Sequence, residues 1–269
     1  MANSFEDFDE QVRNHPCSLL AAEAIHNLAG AELAADADWM DPATLMHTVR
    51  VARMVNVLSW EAGIILSHNG PGAVPLEIAI ALHVGAITHD AGRADAACRK
   101  ITASSEPLTD MTRSVVILHP TKSRQYTQQI FADQAGEYIP SAAATFAGGH
   151  HSHYQNAARN YSTADMLGLN VRERKILRLF GPVLSIADGF EALTTTTGRG
   201  YRTARFAQDG GTVIRPGDDG FFDAAQLVIG TDLVRLDQRY QNRLSPKRVA
   251  EVLLRRKSYI DGDVVVITT

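Results

Sequence analysis

Apolar residues recur along most of this chain at the three- and four-residue spacing that places side chains on one face of a helix. Segments 4–13, 17–35, 42–66, 75–90, 108–118, 121–137, 139–149, 172–180, 182–196 and 223–241 carry this period and predict helices. In one of them His47 shares a stripe with Val51, Met54 and Leu58, which points this histidine inward. The pattern changes between Leu76 and Ile87, where Ile78, Ala79, Ile80, Ala81, Leu82, Val84 and Ala86 leave no polar face. That predicts a helix buried on every side, too short to span a bilayer and interrupted by His83.

Punctuation residues divide these segments. Asp41-Pro42 forms an N-cap and first-turn pair, Gly92 supplies a stop after the buried helix, and Gly181-Pro182 breaks or kinks the approach to Asp188. His68 to Ala73 is turn-rich, and Ser152 to Leu169 lacks a clear period, as a loop does. Beyond Arg205 the turns around Gly210-Gly211 and Pro216-Gly217, with the terminal Val264-Val265-Val266-Ile267, predict turns and short strands around one or two helices. The expectation is an all-α, mainly helical protein: an N-terminal helical extension (1–40), a helical bundle (41–205) and a small C-terminal appendage containing short strands (206–269).

Composition adds little to this picture except exclusions. The chain has 269 residues, 45% hydrophobic and 21% charged, as in ordinary soluble proteins, and a net charge of −4 that argues against nucleic acid as its main partner. Cys17 and Cys98 offer neither a disulfide framework nor zinc-ligand spacing. The acidic stretch Met1–Glu10 lacks the basic region and apolar run of a secretory signal, so a cytoplasmic protein with reduced thiols and no membrane partner is expected. The basic run from Arg235 to Lys257 reads as a solvated helix face, the alternatives being an anionic partner or an oligomer contact such as a homodimer.

The candidate chemistry lies in an ordered series: His47, His89-Asp90, His119, His150-His151 and Asp188. Asp188 sits in the otherwise apolar run Val183, Leu184, Ile186, Ala187, where an unpaired carboxylate would be expelled to water or protonated. Imidazoles and carboxylates gathered from separate helices into an apolar interior call for a cation or a partner charge, and a nitrogen and oxygen donor set without cysteine suits manganese, iron, zinc or nickel. His83 falls on the same face as Asp90 and reads as core packing or a contact behind a ligand, while His15, His26 and His68 read as structural or surface residues.

The segments His47-Thr48-Val49-Arg50-Val51-Ala52, His89-Asp90-Ala91-Gly92-Arg93, His119-Pro120, His150-His151 and Ala187-Asp188-Gly189-Phe190-Glu191-Ala192-Leu193-Thr194 together resemble the HD superfamily of metal-dependent phosphohydrolases, nearest to its HD-GYP branch, over about residues 41–205. The departures are equally specific. Ser152-His153-Tyr154-Gln155-Asn156 replaces the branch's Gly-Tyr-Pro loop, Arg93 stands for a lysine, and Ala43 stands where members with a third metal carry a glutamate.

The resemblance implies two divalent ions, with iron or manganese favoured and zinc or nickel compatible. His47, His89, Asp90 and Asp188 would hold one, with Asp90 bridging to a second completed by His119, His150 and His151. Such ions acidify water and polarise a phosphate ester. Asp90, Arg93 and His153 are the expected catalytic groups, and Arg93, Tyr154, Arg199 and Arg202 the expected contacts to a small phosphorylated substrate. Without the signature loop, cyclic di-GMP is expected to be a poor substrate. Two alternatives follow from the same resemblance: a mixed-valence di-iron oxygenase cleaving a C–C or C–P bond, and a non-catalytic signalling module, a kind that generally loses these ligands.

Overall fold

A computed structural model describes residues 2–30, 40–66, 74–102, 109–151, 168–194 and 246–262. The elements among them are α1 (Phe5–Arg13), α2 (Pro16–Gly30), α3 (Pro42–Leu66), α4 (Leu76–Thr88), a 3₁₀ turn (Ala91–Ala94), α5 (Ala96–Thr102), α6 (Asp110–Val116), α7 (His119–Ile130), a second 3₁₀ turn (Ala132–Gln134), α8 (Tyr138–Gly149), α9 (Val171–Thr194), α10 (Pro246–Arg255) and α11 (Lys257–Asp261). The protein is all-α, with no strand among the described residues. No helix among them is long and apolar enough to cross a membrane. Segments 223–241 and 264–267 lie outside the described residues.

The apolar stretch organises everything else. Residues Ile78 to Thr88 of α4 are all buried. Helices α1, α2, α3, α7, α8 and α9 pack around them. Each fully buried Leu, Ile or Val there contributes about 1.5–3 kcal/mol. The alanine-rich α8 comes very close to α4, and Gly85 marks the contact: a Cβ at that position would meet the Phe146 Cβ at 2.8 Å. The hydrophobic core is continuous from Phe5 and Phe8 in α1 to Val249, Val252, Leu253 and Ile260 in α10 and α11. The N-terminal and C-terminal helices thus share one interior with the central bundle.

Helix ends follow the local chemistry. Asp41 caps α3, accepting from the Thr44 N–H at 2.9 Å and the Thr44 hydroxyl at 2.6 Å. At the start of α9, Asn170 and Glu173 cap each other reciprocally, at 3.0 and 2.7 Å. The break expected at Gly181-Pro182 does not occur, because α9 runs unbroken from Val171 to Thr194 with Pro182 inside it. Proline deprives the Arg178 carbonyl of its intrahelical donor, but burial of every residue from Gly181 to Glu191 outweighs that cost. The helix expected over 121–137 stops at Ile130 and is followed by a turn whose Gly136 has φ 95°.

Gly92 has a different role from the helix stop expected of it. Its φ is not left-handed. Instead, a Cβ there would lie 2.2 Å from the His119 carbonyl oxygen and 2.8 Å from the Ser123 nitrogen. The missing side chain lets the Ala91–Ala94 turn press onto the start of α7, where the Gly92 N–H donates to the Ser123 hydroxyl at 2.9 Å. Gly92→Ala should therefore lower unfolding stability by about 1–3 kcal/mol, the usual cost of overpacking, as chemical denaturation will measure. Wild-type stability would contradict this account.

His83 belongs to a closed polar network joining four helices. Its Nδ1–H donates to the Asn56 side-chain oxygen at 2.9 Å, and the Asn56 amide donates to Asp9 at 2.7 Å. Asp9 also accepts from the Tyr259 hydroxyl at 2.5 Å and from Arg13 Nε at 2.7 Å. Burial pushes the His83 pKa down to about 4, with Asp9 opposing the shift. The unfolded chain, with histidine near its ordinary 6.5, therefore takes up the proton first, and the stability due to neutral His83 is lost as pH falls from 6.5 toward 4. In that window His83→Gln should lower the proton uptake on unfolding by about one, or about 1.4 kcal/mol per pH unit. Denaturation curves across pH read this slope, and identical slopes would refute it.

Candidate metal centre

Five structural positions deliver the donors. His47 lies in the second turn of α3, His89 and Asp90 directly follow α4, His119 opens α7, His150 and His151 follow α8, and Asp188 lies within α9. None of the seven exceeds 8% exposure. Ser185 of α9 fixes the end of α8, its hydroxyl donating to the His150 carbonyl at 2.6 Å.

Three of the histidines are aimed by one device. The Nδ1–H of His89, His119 and His150 donates to the carbonyl three residues earlier, at Ala86, Val116 and Ala147, over 2.7, 2.6 and 2.6 Å. A carbonyl can only accept, so each ring carries its proton on Nδ1 and presents a bare Nε2 to the interior. His47 is held differently. Its Nδ1 meets the Glu191 carboxylate, again leaving Nε2 turned inward.

These rings then face one another through their inward nitrogens. His119 Nε2 lies 3.2 Å from His150 Nε2, and His47 Nε2 lies 3.2 Å from His89 Nε2. Two neutral rings both protonated on Nδ1 would confront lone pair with lone pair, which no hydrogen bond relieves. A shared cation does. Ligand atoms about 2.1 Å from one ion sit roughly 3 Å apart, so the spacing fits coordination.

Three groups of donors each fall within 4.8 Å: His47 with His89 and Asp188, His119 with His150 and His151, and His89 with Asp90 and His150. Asp90 stands between the first two. Its Oδ2 is 3.6 Å from His47 Nε2 and 3.8 Å from His89 Nε2, whereas Oδ1 is 3.3 Å from His119 Nε2 and 4.0 Å from His150 Nε2. Asp188 is 3.0 Å from His47 Nε2 and reaches within 3.8 Å of His151 Nδ1. Buried histidine and aspartate groups able to hold metal are thus present.

The two sides differ in charge. Burial pushes His150 down to about 4, and pushes His119 and His151 well below the ordinary histidine value, with Arg93 adding to the effect at His119 and neighbouring histidines at His151. These rings are neutral, as ligands must be. Burial also lowers His89, but Asp90 and Asp188 outweigh it and raise the net value. Burial raises Asp188, yet the neighbouring imidazoles of His47 and His89 carry it well below the carboxylate range.

Arg93, expected to face a phosphate, donates from Nε to Asp90 Oδ1 at 2.6 Å and is only 7% exposed. Glu191 is the group that sequence reasoning passed over. It follows Asp188 by three residues, in an apolar run where a 3% exposed carboxylate signals a buried partner. The expected site residues His153, Tyr154, Arg199 and Arg202 lie outside the described residues. Comparison of the chain with family models, curated proteins and solved structures finds no match.

Arg93 occupies the Asp90 oxygen that faces His119 and His150, so it competes with a cation bound there. Arg93→Gln should tighten divalent-ion binding on the His119 side by about tenfold, since the removed charge lies within a few ångströms of the site. Calorimetric titration of chelator-treated protein with manganese will show it, and unchanged or weaker binding would refute the competition.

Proposed function

We propose that this chain is a two-metal phosphohydrolase of the HD-superfamily type, acting as a phosphodiesterase or phosphomonoesterase on a nucleotide or another small phosphorylated metabolite. The observation that carries the reading is the confrontation of inward Nε2 atoms on both sides of a buried aspartate whose two oxygens face the two histidine groups. The ordered motifs that resemble the superfamily support it, because the donors that come together are those the motifs supply.

The residues fit two ions. His47, His89, Asp188 and Asp90 Oδ2 would hold one, and His119, His150, His151 and Asp90 Oδ1 the other. Iron or manganese suits this nitrogen and oxygen set best, and zinc or nickel is compatible. Bound divalent ions supply Lewis acidity, lowering the pKa of water and polarising a phosphoryl oxygen. The chain's own contribution is orientation. Backbone carbonyls fix three rings in one tautomer, Asp90 sets the separation of the two donor groups, and burial keeps bulk water from the ligands. Arg93 places a fixed positive charge beside Asp90, where a phosphate dianion would approach the centre.

Elemental analysis of protein purified without chelator should find close to two ions per chain, and a substrate panel should find hydrolysis of small phosphate esters that requires them. Asp90→Ala should remove most bound metal and abolish turnover. A stoichiometry near zero in active protein, or an Asp90→Ala variant with full metal content and normal rate, would overturn the reading. Oxygen uptake without phosphate ester hydrolysis would identify the di-iron oxygenase alternative instead.

A further inference from the structure

His47 differs from the other inward-facing histidines in what lies behind it. His89, His119 and His150 follow or open helices, where a carbonyl three residues back is available to their Nδ1–H. His47 sits inside α3, and a carbonyl in mid-helix is already committed to the helical ladder. The side chain that meets its Nδ1 comes from another helix: Glu191 of α9, one turn beyond Asp188.

We propose that Glu191 is a positioning residue for the metal site formed by His47, His89 and Asp188. The proposal rests on the two-ion reading above. As a carboxylate, Glu191 would accept, keeping the His47 proton on Nδ1 and leaving Nε2 bare toward Asp188 and His89, at 3.0 and 3.2 Å. It also makes the ring a better electron donor than a carbonyl partner would. Because Asp188 and Glu191 are one turn apart on the same helix, α9 delivers a ligand and the support for a second ligand as one rigid unit. The other Glu191 oxygen lies 3.7 Å from Arg50 Nη1, and Arg50 Nε lies 3.9 Å from Asp261 of α11. Arg50 thus holds the supporting carboxylate from the outside, on the same helix as His47.

The arrangement predicts a selective defect. Outer partners of metal-bound histidines are typically worth 10–100-fold in metal affinity. In Glu191→Ala, cobalt or manganese should bind the His47 side about 10–100-fold more weakly and the His119 side as in wild type. Glu191→Gln retains an acceptor for Nδ1–H and should recover most of the loss. A second readout is independent of affinity and of turnover. In the cobalt-loaded protein, ring N–H protons of ligating histidines give separate shifted proton resonances, and the His47 resonance, identified by its absence in His47→Gln, should exchange rapidly with solvent in Glu191→Ala but persist in Glu191→Gln.

Circular dichroism of the metal-free variants checks folding. If Glu191→Ala does not fold, Glu191→Gln still decides: a solvent-protected His47 N–H supports the proposal, and a rapidly exchanging one overturns it. Wild type that binds no divalent ion would remove the metal centre and the proposal together. Wild type that binds two ions, with both Glu191 variants matching it in affinity and N–H exchange, would overturn the positioning role alone.

Discussion

Burying the Asp90 carboxylate at the meeting point of four helices is the constraint on which the rest of this structure depends. An ionised carboxylate at 1% exposure is costly unless positive charge or directed donors surround it. Arg93 supplies one such charge, and the imidazoles of His47, His89, His119 and His150 stand around the two oxygens. Placing that carboxylate there requires α4 to be buried on all sides from Ile78 onward. It also requires the turn after α4 to lie flat on α7, which only a residue without a side chain allows at position 92.

Two of the buried polar systems among the described residues contrast, and only one of them is built to hold a metal ion. Around His83 each acceptor meets a donor: Asn56 takes the histidine proton and Asp9 takes the amide, the hydroxyl and the guanidinium. Such a network is complete and serves packing. Around Asp90 inward nitrogens lie against one another, His47 against His89 and His119 against His150, each pair at 3.2 Å, an arrangement able to hold a metal ion. Helices α3 and α4 contribute to both systems, so the closed network braces the helices that carry the open one.

How much of this was legible in the sequence depends on whether the cause is local. Helices α3, α4 and α8 follow their hydrophobic period closely, and the inward stripe of His47, Val51, Met54 and Leu58 is buried as its spacing implies. The seven donors are readable because each breaks an apolar pattern. Pro182 does not end the helix because its cost is local, while the burial that offsets it comes from neighbouring helices. Gly92 misleads for a related reason: a glycine needed for close approach and a glycine needed for a left-handed turn are identical in sequence. Glu191 and the Asp9 partners of His83 are invisible because the contacts join residues far apart in the chain, 144 positions in the case of His47 and Glu191. Helix α10 lies in the basic run that reads as a solvated face, and Arg255 is exposed there while Val249, Val252 and Leu253 are buried; Arg256, just beyond the helix, lies over the Phe5 ring at 4.4 Å.

The bond between Asp9 and Tyr259 spans 250 positions, and this sets an order of events during synthesis. At roughly 5–20 residues per second, Asp9 waits about 12–50 s for the hydroxyl that completes its shell. All the donors around Asp90 lie between His47 and Glu191, so they leave the ribosome well before Tyr259 does. The nascent bundle can therefore gather its histidines while the donor shell of Asp9 still lacks its last member. The chain's last described helix acts as a clasp, closing over an interior whose chemistry is already in place.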